Sequence, residues 1–117
     1  MANLALAVPI QPGKTEAFLA YVQELQNGRR ADEEAFHRSV GTHRASAWLQ
    51  RTPQGNLAVI YWEGDDPDTY KTGLEQLLRG DEPFGAWVRE RFAEIYGINP
   101  DEPLPPLPER VLDLPLE

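Results

Sequence analysis

Residues 48 to 64 read WLQRTPQGNLAVIYWEG, two apolar runs on either side of a short Pro/Gly turn. The spacing predicts an antiparallel hairpin, with strands over His43 to Thr52 and Leu57 to Glu63 and a turn at Pro53 to Asn56. Side chains alternate along a strand. Ala45, Ala47 and Leu49 therefore share one face of the first strand, and Arg44, Ser46, Trp48 and Gln50 share the other. In the second strand Leu57, Val59 and Tyr61 oppose Ala58, Ile60 and Trp62. Both faces are mostly apolar, so a sheet containing this hairpin has to be covered on two sides.

The N-terminal segment LALAVPI, residues 4 to 10, repeats the pattern, with Leu4, Leu6, Val8 and Ile10 on one face and Ala5 and Ala7 on the other. Pro9 has no amide to give to a ladder, which predicts irregular or missing pairing near the end of this strand. Pro12 and Gly13 then turn the chain, and Phe18, Tyr21, Val22 and Leu25 recur at helical spacing. Asn27-Gly28 ends or kinks that helix, because Ala31, Ala35, Phe36 and Val40 carry a helical spacing onward as far as a Gly41 cap. After the hairpin, Asp66 followed by Pro67 is a helix start, with Tyr70, Leu74, Leu77 and Leu78 as its buried stripe and Gly80 as its end. Asp81 and Pro83 open another helix, whose apolar face carries Phe84, Trp87, Val88, Phe92, Ile95 and Tyr96.

The C-terminal stretch differs in composition. Six of the eleven prolines fall between Pro100 and Pro115, which predicts an extended arm wrapped on the surface. Its end, ERVLDLPLE, has enough β-formers for a last strand, and its leucines and Val111 are expected to be covered. Strand, helix, hairpin, split helix and final strand give the α+β order β-α-β-β-α-β of a ferredoxin-like domain. Its expected extent is 1–98, with 99–117 as a Pro-rich arm of the same domain. The expected faces place Leu4, Leu6, Val8, Leu49, Val59 and Tyr61 on one side and Trp48, Ile60 and Trp62 on the other. A second copy of the chain is the simplest cover for the sheet's second face.

Charge narrows the functional classes. Nineteen acidic residues against eleven basic give a net charge of -8, and the one basic cluster, Arg29, Arg30, Arg38 and Arg44, is diluted by Asp32, Glu33 and Glu34. That field disfavours nucleic acid as a partner. Cysteine is absent, so disulfides, thiolate nucleophiles and Cys-based zinc sites are excluded together. The first residues lack a signal-peptide pattern and no run is long enough to span a membrane, which predicts a cytoplasmic protein without membrane partners.

Three segments carry a family likeness: VPIQPGKTEAF at the start, WLQRTPQGNLAVIYWEGDDP in the middle and DEPFGAWVRERFAEIYGI after it. Over most of residues 4 to 98 they resemble small uncharacterised bacterial proteins of the dimeric α+β-barrel superfamily, which also contains antibiotic-biosynthesis monooxygenases, muconolactone isomerases and haem-degrading enzymes. The resemblance implies a homodimer with two sheets face to face and, in each subunit, a cavity between sheet and helices. It brings no catalytic residue with it. The haem-degrading branch takes its iron ligand from a helix histidine, and the helices after the hairpin here have none. No cofactor is expected.

His37 and His43, the two histidines, lie on separate elements without metal-ligand spacing, so no metal site is expected. In the acidic run Glu63, Asp65, Asp66 and Asp68, helix capping and the helix dipole explain Asp66 and Asp68, which leaves at most a weak, water-rich cation site. Trp48, Tyr61, Trp62 and Trp87 are the candidate ligand-binding residues, as aromatic walls with orienting N-H and O-H groups. Tyr61 and Trp62 point oppositely and cannot line one cavity together. The first functional expectation is binding of a small apolar or aromatic molecule. The second is a cofactor-independent monooxygenase or isomerase, with His43 as base and Arg44 as oxyanion partner. The third is a non-catalytic interaction module that uses its Pro-rich arm.

Overall fold

A computed structural model describes residues 2–116. Three strands, β1 (Ala2–Pro9), β2 (Thr42–Gln50) and β3 (Leu57–Gly64), form one antiparallel sheet in the order β1-β3-β2. Four helices accompany it: α1 (Thr15–Gln26), α2 (Arg30–Ser39), α3 (Pro67–Arg79) and α4 (Pro83–Tyr96).

β3 is the central strand, and its residues set the register on both sides. Leu4, Leu6 and Val8 lie opposite Trp62, Ile60 and Ala58, which in turn face Ala45, Ala47 and Leu49 of β2. These residues make the face turned toward the helices, which leave Ala45 and Ala47 on the outer strand exposed. The other face carries Ala5, Ala7, Leu57, Val59, Tyr61 and Trp48, with Asn3, Glu63, Arg44, Ser46 and Gln50 among them. The expected grouping is corrected here: Leu4, Leu6, Val8 and Leu49 join Ile60 and Trp62, while Val59 and Tyr61 join Trp48. Alternation within each strand was right, but the faces of separate strands are related only by register. Pro9 still aligns with Leu57 at the end of β1.

The first helical region is divided at Asn27-Gly28, where the Asn27 side chain donates back to the Gln23 carbonyl (2.9 Å). α2 then presents Glu33, Phe36, His37 and Val40 inward, while Ala31 and Ala35 are exposed. The start of α3 is as the sequence predicts: the Asp66 carboxylate accepts the Asp68 amide (3.2 Å) and the Thr69 hydroxyl (2.8 Å), with Pro67 in the first turn. At α4 the cap position is Glu82 rather than Asp81, and its side chain makes no capping bond. Gly97 closes α4 in the left-handed conformation at φ 71°, which favours glycine.

Two apolar clusters hold the layers together. Ile10, Phe18, Ala58 and Ile95 join α1 and α4 to the sheet, and Leu78, Phe84 and Val88 join α3 to α4. Gly85 is what lets α3 and α4 approach, because a Cβ there would run into the Leu77 carbonyl oxygen.

The expected last strand is corrected as well. Residues 103–116 adopt no strand; Leu104 packs against the α3/α4 cluster, whereas Val111, Leu112, Leu114 and Leu116 stand in solvent. Proline density removes the amides a ladder needs, and the arm follows the surface instead. Among the described residues no helix is long and apolar enough to cross a membrane.

Gly85→Ala is expected to destabilise the fold by about 1–3 kcal/mol through overpacking at the α3/α4 contact. Urea denaturation followed by far-UV circular dichroism would measure it, and an unchanged midpoint would contradict the close approach.

Candidate functional site

A cleft of about 650 Å³ lies between the helices and the β2 side of the sheet. Its walls draw on both apolar clusters, with Phe18 and Tyr96 from one and Phe36, Leu74, Val88 and Phe92 from the other. Ala45, Ala47 and Ile60 form the sheet side. The small alanines of β2 leave the space that larger residues would fill.

The cleft's apolar walls are joined by exposed polar and charged residues, Gln26, Arg30, Glu34, Arg38, His43 and Arg44, and by polar groups that stand further in. Tyr21, Tyr70 and Tyr96 line it, and so do Glu33 and His37 from the inward face of α2. Of the four tyrosines, Tyr61 is the one whose hydroxyl is hydrogen-bonded among the described residues; it donates to Glu63 and accepts from Asn3, on the opposite face of the sheet. The three cleft phenols therefore retain free hydrogen-bonding capacity toward a ligand.

A hydrogen-bonded chain links the core to the histidine. The buried Trp62 indole N-H donates to Thr42 Oγ1 at 2.8 Å, and the same hydroxyl lies 2.8 Å from His37 Nδ1. The Glu33 carboxylate can only accept, so a neutral ring facing it places its proton on Nε2 and leaves Nδ1 to accept from the Thr42 hydroxyl. Nε2 faces Glu33 Oε2 at 3.5 Å. Tyr70 stacks between these groups, 5.0 Å from Trp62 and 6.2 Å from His37 between ring centroids.

All three cleft phenols resist ionisation. Burial raises Tyr70 to about 12, helped by the nearby Glu33 carboxylate. Burial likewise raises Tyr96 and lifts Tyr21 well above its ordinary value, with Glu33 adding to the latter. At neutral pH each is a neutral O-H that can donate or accept.

The candidates from the sequence are dispersed. Trp48 is 55% exposed on the open sheet face opposite Val59. Tyr61 lies on that face too, away from the cleft. Trp62 is fully buried and acts on the cleft through Thr42 and Tyr70. Trp87 stacks on Tyr21 at 5.4 Å and lies under the Arg29 guanidinium at 4.2 Å, on the far side of the tyrosine. His43 sits at the register shift of β2, exposed, with Nε2 2.8 Å from Asp65 Oδ1. Arg44 lies opposite Glu63, and both His43 and Arg44 reach the cleft only from exposed positions on the outer strand β2.

Sequence reasoning missed Glu33, His37, Thr42, Tyr70 and Tyr96 as a group. The available signal was the spacing of Glu33, Phe36, His37 and Val40, one helical face that mixes polar with apolar residues. Among the described residues no group of three or more His, Asp or Glu side chains is placed to hold a metal. The chain matches no protein-family model and no curated protein.

Thr42→Val is expected to cost about 1–3 kcal/mol in urea denaturation, because the buried Trp62 N-H loses its acceptor, whereas Thr42→Ser should stay close to the parent. The Nδ1 resonance of His37, observed by NMR, should shift in the valine variant, which removes the hydroxyl it accepts from. Phenolate absorbance gives an independent check. The unfolded chain ionises its tyrosines near pH 10, whereas the folded chain should hold the cleft protons well beyond that. Raised folded values mean that this contribution to stability is fully present below pH 10 and is lost as the pH climbs toward 12, where the unfolded chain gives up protons the folded chain keeps.

Proposed function

We propose that this chain is a homodimer that binds a small, flat, apolar or aromatic molecule carrying hydrogen-bonding groups, one molecule in the cleft of each subunit. The observation that carries the reading is the set of three neutral tyrosine hydroxyls lining an apolar cleft of about 650 Å³ with no protein partner for them among the described residues. A volume of this size suits a small organic ligand, and a few polar groups in an aromatic wall are what orient one. The dimer is supported by the uncovered sheet face, where Trp48, Leu57, Val59 and Tyr61 form an apolar surface on a chain too small to cover it itself. The resemblance to dimeric α+β-barrel proteins supports ferredoxin-like ancestry and the same mode of pairing.

A second reading, a cofactor-independent oxygenase or isomerase, takes its support from the Glu33–His37 pair rather than from His43 and Arg44. Glu33 faces an apolar cleft with the Nε2-H of His37 beside it, an arrangement able to accept a proton from an acidic C-H or O-H group. His43 is instead engaged by Asp65. The third reading, an interaction module without a ligand, would leave the cleft phenols unused.

Native mass spectrometry of protein purified from cells without added ligand tests the first reading. The expected species has twice the 13.2 kDa chain mass plus a reproducible small adduct. Ala47→Trp, which fills the cleft from β2, should remove the adduct and keep the dimer. Trp48→Lys, on the opposite face, should weaken the dimer. A bare dimer whose phenols bind no small molecule would contradict the ligand, and a monomer would contradict the packing of the two sheets.

A further inference from the structure

We infer that the molecule taken up by the cleft is an organic amine, held with its protonated nitrogen against the Glu33 carboxylate and its apolar body along the aromatic walls. This deepens the ligand reading above and rests on it. The charges around the cleft carry the argument, because they are not matched alike. At the mouth, Arg30 Nε lies 3.5 Å from Glu34 Oε2 and Arg38 Nη2 lies 4.0 Å from Glu34 Oε1, all three side chains at least half exposed. Arg44 stands opposite Glu63 in the sheet register, and His43 is held by Asp65. Each charge of the rim therefore has a counter-charge beside it.

Glu33 is the exception. Its side chain is 26% exposed on the inward face of α2, and among the described residues no lysine or arginine pairs with it. Its one partner is the His37 ring, at 3.5 Å from Oε2. The carboxylate also lies near enough to Tyr21 and Tyr70 for its charge to help hold their protons in place. An acceptor that lines an apolar cleft, lacks a cationic side chain and is ringed by neutral phenols is thus presented to whatever enters.

That setting selects among head groups. A carboxylate accepts hydrogen bonds and cannot donate them, so the ligand has to bring the donors. An anionic head would stand beside a negative charge that nothing nearby offsets. A neutral hydroxyl would donate but leave the charge unmatched. An ammonium supplies both the donors and the missing charge, its remaining N-H groups can be accepted by phenol oxygens, and the rings of Tyr21, Phe36 and Phe92 form the kind of aromatic wall to which organic cations are drawn. Ile60, Val88 and Phe92 are left for the apolar body. The net charge of -8 acts in the same sense at longer range, since it attracts cations and repels anions.

Three probes with one phenylethyl body test the inference on the full chain: phenethylamine carries a cation, phenethyl alcohol a neutral hydroxyl and hydrocinnamate an anion. Titrated at neutral pH and followed by NMR shifts of the cleft residues, the amine should bind about tenfold tighter than the alcohol, the size of one charge-assisted contact, and hydrocinnamate should bind weakest. Glu33→Gln keeps the shape and an accepting oxygen but removes the charge. It should cancel the advantage of the amine and leave the alcohol near its parent affinity, whereas Glu34→Gln at the rim should preserve that advantage. An alcohol that binds as tightly as the amine, an acid that binds tightest, or an advantage that survives Glu33→Gln or is lost equally in Glu34→Gln overturns the amine and leaves the ligand cleft standing. Cleft resonances that none of the three probes moves overturn the ligand cleft and the amine together.

Discussion

The hydrogen bond from the Trp62 indole to Thr42 is the contact on which the rest of the molecule turns. Trp62 is the fully buried side chain at the end of the central strand, and its N-H is a donor that burial would penalise by about 1–3 kcal/mol without a partner. Thr42 stands at the first position of β2, just after the Gly41 turn, so satisfying the indole also fixes where α2 hands the chain to the sheet. The same hydroxyl orients His37, and the face of the indole carries Tyr70. A structural requirement of the core thereby helps to position two polar groups in the cleft.

The sheet imposes the second constraint. Three strands with apolar residues on both faces receive helices on one face only, and the two faces are used differently. On the covered face Trp62 pairs in register with Leu4 and Ala45 and closes the layer, while the alanines of β2 leave room for a cleft instead of a filled core. On the open face Val59, Trp48 and Tyr61 remain at the surface. Dense packing in one place and open space beside it draw on side chains from separate short helices, and the breaks at Asn27-Gly28, between α1 and α2, and at Gly80, between α3 and α4, supply the changes of direction.

Much of this was legible in the residues. The hairpin, the alternation within each strand, the Asp66-Pro67 helix start and the split helices follow from local chemistry that the tertiary structure does not override. The relation between strands was not legible, because alternation says which residues share a face within a strand but nothing about which faces coincide across a ladder. Val59 and Tyr61 went to the wrong side for that reason. The last strand failed for another: ERVLDLPLE has β-formers, but Pro115 and the prolines before it withhold amides, and strand propensity without an available ladder yields an exposed arm. The candidate site was read from aromatic side chains, and tryptophan proved to build walls and supports rather than the lining itself.

What points to the cleft is a conflict between levels of the sequence rather than a motif. Helix α2 exposes Ala31 and Ala35 and turns Glu33 and His37 inward, the reverse of what packing alone would choose. An apolar pair at those inward positions would gain burial, so packing alone does not account for the two half-buried polar side chains there. Conflicts of this kind concentrate at functional positions because selection for a task can outweigh selection for packing. Trp62 and Thr42 could satisfy one another without His37, and Phe36 and Val40 could hold α2 in place without Glu33. Neither polar side chain is required by the fold that surrounds it, and that surplus is what supports the proposed site at the inner face of α2.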